Sequence, residues 1–191
     1  MRLASFLHAA LGALLACSSA AWAAPAVVSI SPGRTLVEYT GASPVGLGQV
    51  QQDGLLQYVE ERTAGTLRSV FLFFDPSSLQ SLQATLDFGG PIVQVFSTRA
   101  ELAASHATWG VDIDGNLLAD DYGSALAIGL EANDQLSWTP GQSLLSLAWT
   151  ASHPGDHIRV LVGSVPEPTG LALALSALLA LRASRRRDAG R

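Results

Sequence analysis

Between Ala24 and Val165 the chain is broken into short apolar runs, each about the length of one β-strand, with turn-forming residues between them. The runs are Val27–Ile30, Thr35–Tyr39, Val70–Phe74, Ala84–Phe88, Ile92–Phe96, Leu136–Trp138, Leu144–Trp149 and Ile158–Val162. Leu145, Leu147 and Trp149 fall on one strand face, and Ile158, Val160 and Val162 on another, opposite Arg159. Both segments read as half-buried strands, because successive side chains of a strand point to opposite sides. Val70-Phe71-Leu72-Phe73-Phe74 is apolar on both faces, which predicts a central strand that ends at Asp75-Pro76.

Thr98 and Glu101 have the spacing of a capping box, and Arg99 to His106 supplies good helix formers, so one short helix is expected there. Gly89-Gly90-Pro91 reads as a turn, Asp114-Gly115 as a hairpin, and Gly41 to Gln52 as a mobile loop. No repeat of fixed period occurs. The 142 residues from Ala24 to Val165 suffice for one core. The expected fold class is all-β: an antiparallel β-sandwich of jelly-roll-like kind over residues 24–164, with one short helix.

Charge is divided unevenly along the chain. The middle holds 5 arginines against 14 acidic residues, whereas the tail beyond Val165 is net basic. An acidic middle argues against a nucleic-acid partner, since such surfaces cluster Lys or Arg against phosphates. Cys17 is the only cysteine, so neither an intrachain disulfide nor a multi-thiolate zinc site can form. Met1-Arg2, the uncharged run Leu3–Ala16 and the small residues Ala21 and Ala23 have the three-part order of a signal peptide over residues 1–23. Signal peptidase is expected to cut after Ala23. Leu14-Leu15-Ala16-Cys17 resembles a lipoprotein box, which offers acylation of Cys17 as the competing route.

At the other end, Pro166, Glu167 and Pro168 precede the uncharged segment Thr169–Leu181, and Arg182, Arg185, Arg186 and Arg187 follow. The prolines hold Glu167 on an extended segment that an enzyme can grip. The thirteen uncharged residues reach about 20 Å as a helix, so snorkelling arginines and local thinning must complete a membrane span. The positive-inside rule keeps those arginines in the cytoplasm as a membrane stop.

This order closely resembles the PEP-CTERM sorting signal of Gram-negative bacteria, over residues 165–191. The family's Pro-Glu-Pro falls on Pro166, Glu167 and Pro168, its membrane segment on Thr169–Leu181, and its basic cluster on Arg182–Arg187. The resemblance implies processing by an exosortase in bacteria that make exopolysaccharide, with Glu167 as a recognition residue of a substrate. The same C-terminal pattern also goes by the name of an ice-binding protein C-terminal domain, a label that concerns the tail alone. A looser resemblance, through Phe71-Leu72-Phe73-Phe74-Asp75-Pro76, Leu86–Ile92 and Pro154–Val160, is to a recurrent ectodomain of PEP-CTERM proteins. It implies a secreted β-domain and no catalytic residue.

Chemistry within the middle is sparse. His153, Asp156 and His157 have the spacing H-x-x-D-H, but Pro154-Gly155 forbids the helix that a metal motif of this kind needs. A turn before the last strand is expected instead, with Asp156 bonding turn amides. Asp112, Asp114, Asn116 and Asp120 present oxygens suited to calcium, yet Leu117 and Gly123 occupy the positions where an EF-hand needs glycine and glutamate, and a solvated hairpin accounts for the acids. Glu60 and Glu61 are adjacent and on a strand point to opposite faces, so they are no acid–base pair. Trp109, Trp138 and Trp149 offer an aromatic sugar platform, although tryptophans in strands more often fill a core. No catalytic residue, cofactor or metal is expected. The sequence reads as an exported, non-enzymatic surface or matrix protein, anchored in the inner membrane with its ectodomain in the periplasm until an exosortase processes it. Signal peptidase and exosortase are its processing partners, and exopolysaccharide is a candidate partner. The alternative is a glycan-binding module assisted by calcium.

Overall fold

The computed structural model describes residues 22–41, 51–110 and 129–164. Among them the elements run in the order β1 (Ala26–Ile30), β2 (Thr35–Glu38), β3 (Leu55–Ala64), β4 (Leu67–Phe74), β5 (Gln80–Asp87), β6 (Ile92–Phe96), α1 (Arg99–Trp109), β7 (Gln135–Trp138), β8 (Leu144–Ala151) and β9 (Asp156–Gly163). Two sheets result. One has the order β1-β5-β8-β7, and the other β2-β3-β4-β9-β6.

The alternation in the sequence decides which side chains meet. Leu82, Ala84 and Leu86 of β5 and Leu145, Leu147, Trp149 and Ala151 of β8 turn inward, with polar neighbours between them left outside. They join Leu56, Val70, Leu72, Phe74, Ile158, Val160 and Val162 of the other sheet in one apolar core. Each fully buried side chain of this size is worth about 1.5–3 kcal/mol. β4 lies in the middle of the five-stranded sheet, as its apolar run predicts. Its odd-numbered residues Phe71 and Phe73 leave the main core and meet Leu102 of α1 in a second, smaller cluster.

The helix begins as its capping box requires. Glu101 N–H donates to Thr98 Oγ1 at 3.2 Å, and Thr98 N–H donates to Glu101 Oε2 at 3.0 Å. Only Leu102 and Ser105 of α1 are buried, so the helix is a narrow cover.

Three expectations are corrected. The longest strand, β3, has no counterpart among the apolar runs, because Glu60, Glu61 and Arg62 interrupt its pattern. The pairing is not wholly antiparallel, since β2 runs parallel to β3 with Thr35 beside Leu55. The connection from Tyr39 to Gly54 is long enough to carry the chain back to the same end, as a parallel pair needs. Finally, β9 is buried along its whole length, Arg159 included, because α1 packs over the face that Arg159 occupies.

Candidate functional site

The outer face of the four-stranded sheet carries a row of hydroxyls across every strand. Ser29 stands beside Thr85, Thr85 beside Ser146, and Ser146 beside Ser137. Thr85 Oγ1 and Ser146 Oγ are 3.1 Å apart, and Ser81 Oγ and Thr150 Oγ1 repeat that spacing further along. The adjacent row places Gln83 and Gln135 on either side of the small Ala148. An open groove of about 590 Å³ lies over these rows, and none of the residues that line it is charged. Such a surface offers donors and acceptors in alternation with no field to attract an ion.

A second polar cluster closes the end where β4 stops and β9 begins. Asp75 is buried, and both of its carboxylate oxygens lie 3.0 Å from Nδ1 of His153. A carboxylate that orients an imidazole is the local geometry of a general base. Among the described residues, however, no hydroxyl or thiol hydrogen-bonds His153. Burial raises the Asp75 carboxyl, and the His153 contact opposes that shift.

Asp156, 3 % exposed, does not bond the turn amides as expected. Its carboxyl meets that of Asp134, whose oxygens already accept from the amides of Glu131 at 2.8 Å and Thr150 at 2.9 Å. Burial, then the charges of Asp134 and Glu131 and the hydrogen bond to Asp134, push Asp156 up to about 7. His157 is wholly buried, and its Nε2–H donates to Pro154 O at 3.0 Å. Burial lowers it to about 4, so the ring is neutral at pH 7.

The H-x-x-D-H residues therefore form a turn and a strand start, as their prolyl-glycyl core predicts. Gly155 has φ +80° there, and an added Cβ would sit 2.6 Å from Phe74 O. No three His, Cys, Asp or Glu side chains come together as a metal site requires among the described residues.

Glu60 and Glu61 take separate partners, as their adjacency predicts. Alternation from Val59 puts Glu61 on the face that α1 covers, and a bulge between Glu60 and Arg62 brings Arg62 to that same face. Arg159 Nε donates to Glu61 Oε2 at 2.7 Å and its Nη2 to Oε1 at 2.8 Å. Its Nη1 reaches Leu102 O at 3.2 Å, and Nη2 lies 3.3 Å from His106 Nδ1. The guanidinium also stands 5.3 Å from the centre of the Phe71 ring.

The aromatic platform does not form. Trp149 is 1 % exposed in the core, Trp138 packs against the same core, and Trp109 ends α1. Ala23 is placed, with its carbonyl oxygen accepting from Arg68 Nη2 at 2.6 Å. Ala21, the calcium candidates Asp112, Asp114, Asn116 and Asp120, the Asp114-Gly115 hairpin, most of the Gly41–Gln52 loop, and Pro166, Glu167, Pro168, Arg182, Arg185, Arg186 and Arg187 lie outside the described residues. Among the described residues no helix is long and apolar enough to cross a membrane.

The chain matches no family model, no curated protein and no solved structure. The hydroxyl row escapes sequence reasoning because Ser29, Thr85, Ser137 and Ser146 are scattered along the chain. Only strand register brings them into line. Their one visible signal is the absence of charge at outward positions of β5, β7 and β8, apart from Asp87 at the rim.

Proposed function

We propose that this chain is an exported surface or extracellular-matrix protein of a Gram-negative, exopolysaccharide-producing bacterium. A signal peptide directs export. The C-terminal segment then holds the ectodomain on the periplasmic side of the inner membrane until an exosortase processes it and passes the protein to the cell surface. The ectodomain is a non-enzymatic β-sandwich of jelly-roll-like kind. One observation carries the reading: Pro166-Glu167-Pro168, a short uncharged segment and an arginine cluster follow one another in the last residues of the sequence.

Replacing Glu167 with Ala is expected to leave export intact and block processing, so that precursor accumulates in the inner membrane. Fractionation and mass measurement in a host that encodes an exosortase check this. Trimming of the Glu167→Ala protein to the wild-type mass would show the tail to be an ordinary anchor.

A second reading, a glycan-binding module, is favoured by the uncharged hydroxyl and amide face. A neutral polysaccharide presents the same hydrogen-bonding groups and no charge, so neither side must strip an ion of its water on contact. On a glycan array the full chain in detergent is expected to select neutral glycans over sulfated or uronic ones, and Ser146→Glu in the middle of the row is expected to abolish retention. A blank array, or retention unaffected by Ser146→Glu, leaves the face a solvated surface.

A further inference from the structure

The sequence offers signal peptidase bonds on either side of Trp22-Ala23. Ala21 and Ala23 provide small residues for a cut after Ala23, while Ser19 and Ala21, or Ser18 and Ala20, provide them equally well for a cut before Trp22. Nothing in the composition of the segment separates the two. The fold does, because it uses the residues that lie between them.

Trp22 packs against the main core, and its ring lies 5.4 Å from the guanidinium carbon of Arg68. Arg68 is 1 % exposed, so every partner of its charge counts. Nη2 donates to Ala23 O at 2.6 Å and to Phe88 O at 3.1 Å, and Nη1 pairs with Glu60. Ala23 in turn occupies the space above Gly89, where φ is +67° and an added Cβ would come within 2.8 Å of the Ala23 Cβ. The β5–β6 turn thus receives a residue that a cut after Ala23 would discard.

A cut after Ala23 would remove the aromatic face and one carbonyl acceptor from a buried cation. It would also create an ammonium group on Ala24 within roughly 5 Å of the same guanidinium, given the short path from Ala23 O to the next nitrogen. Two cations that close oppose each other. A cut after Ala21 keeps all of these contacts.

We infer that signal peptidase cuts before Trp22, at the Ala21–Trp22 bond or one residue earlier, and that the mature chain keeps Trp22-Ala23-Ala24-Pro25. Water supplies the hydroxyl of the new carboxyl group and the proton of the new amine. The inference rests on the export reading. The enzyme acts on the extended chain as it emerges, so the later burial of Trp22 does not hinder it.

The full chain, expressed with its own leader in a Gram-negative host, is read by N-terminal sequencing and intact mass. A first residue of Trp22 or Ala21 is expected. A first residue of Ala24, or an acylated Cys17, overturns the inference while leaving export in place. A chain that still starts at Met1 in the cytoplasm removes the export reading itself and the inference with it. Two variants sharpen the result. Ala23→Leu fills the last position before the downstream bond and should be processed like wild type, whereas a block in processing contradicts the inference. Trp22→Ala should lower the Tm of the purified mature protein by roughly 3–6 °C. An unchanged Tm, as for a residue already cut away, contradicts it.

Discussion

Two neighbouring residues on β9 hold opposite protonation imbalances. The carboxyl of Asp156 titrates at about 7 in the fold against an ordinary 3.8, so between these values the folded chain holds a proton that the unfolded chain has released. Its contribution to stability is complete below pH 3.8 and is lost as pH rises through 7. His157 titrates at about 4 against an ordinary 6.5, so the unfolded chain holds the extra proton. Its contribution is complete above pH 6.5 and is lost as pH falls through 4. From pH 4 to 6.5 the two slopes, each about 1.4 kcal/mol per pH unit, have opposite sign and largely cancel. Denaturant melts of Asp156→Asn are expected to show stability that falls as pH is lowered across this range. His157→Asn should show the reverse, stability that falls as pH is raised. Parallel profiles for wild type and both variants would disprove the arrangement.

At the scale of elements, α1 is a polar helix with only two buried residues, and the sheet holds it through Leu102 packed on Phe71 and Phe73 and through Arg159. That side chain is 0 % exposed and reaches the helix at Leu102 O and Ser105, while its charge is met by Glu61 from β3. Removing one partner leaves the other charge buried alone, at a cost of about 3–5 kcal/mol. Arg159→Leu is therefore expected to lower the denaturation midpoint sharply. Arg159→Leu combined with Glu61→Leu should recover much of the loss, because a paired substitution leaves no isolated charge. Equal midpoints for the single and double variants would place the role of the pair elsewhere.

At the scale of the whole molecule, the main core draws on both sheets, so the sheets should not unfold separately. Leu86 lies on β5, an inner strand of the four-stranded sheet, and is fully buried. Leu86→Ala is expected to cost about 2–5 kcal/mol. Far- and near-ultraviolet circular dichroism should report one coincident transition, shifted as a unit, and two separated transitions would indicate independent sheets.

The sequence by itself determined what depends on near neighbours. Period-two alternation set the inward faces of β5 and β8, the Thr98–Glu101 spacing set the start of α1, and Pro154-Gly155 ruled out a helical metal motif. The tertiary structure decided whatever depends on pairing between distant residues. β3 is a strand because β2 and β4 satisfy its backbone and because Arg68 and Arg159 donate to its two glutamates, facts that no window of sequence contains. Arg159 appears from its own strand to be a solvent residue, and becomes a buried cation only because a helix from elsewhere in the chain lies over it. The hydroxyl row and the seat of Trp22 on Arg68 have the same origin: hydrogen-bond register and close packing join residues that sequence distance keeps apart.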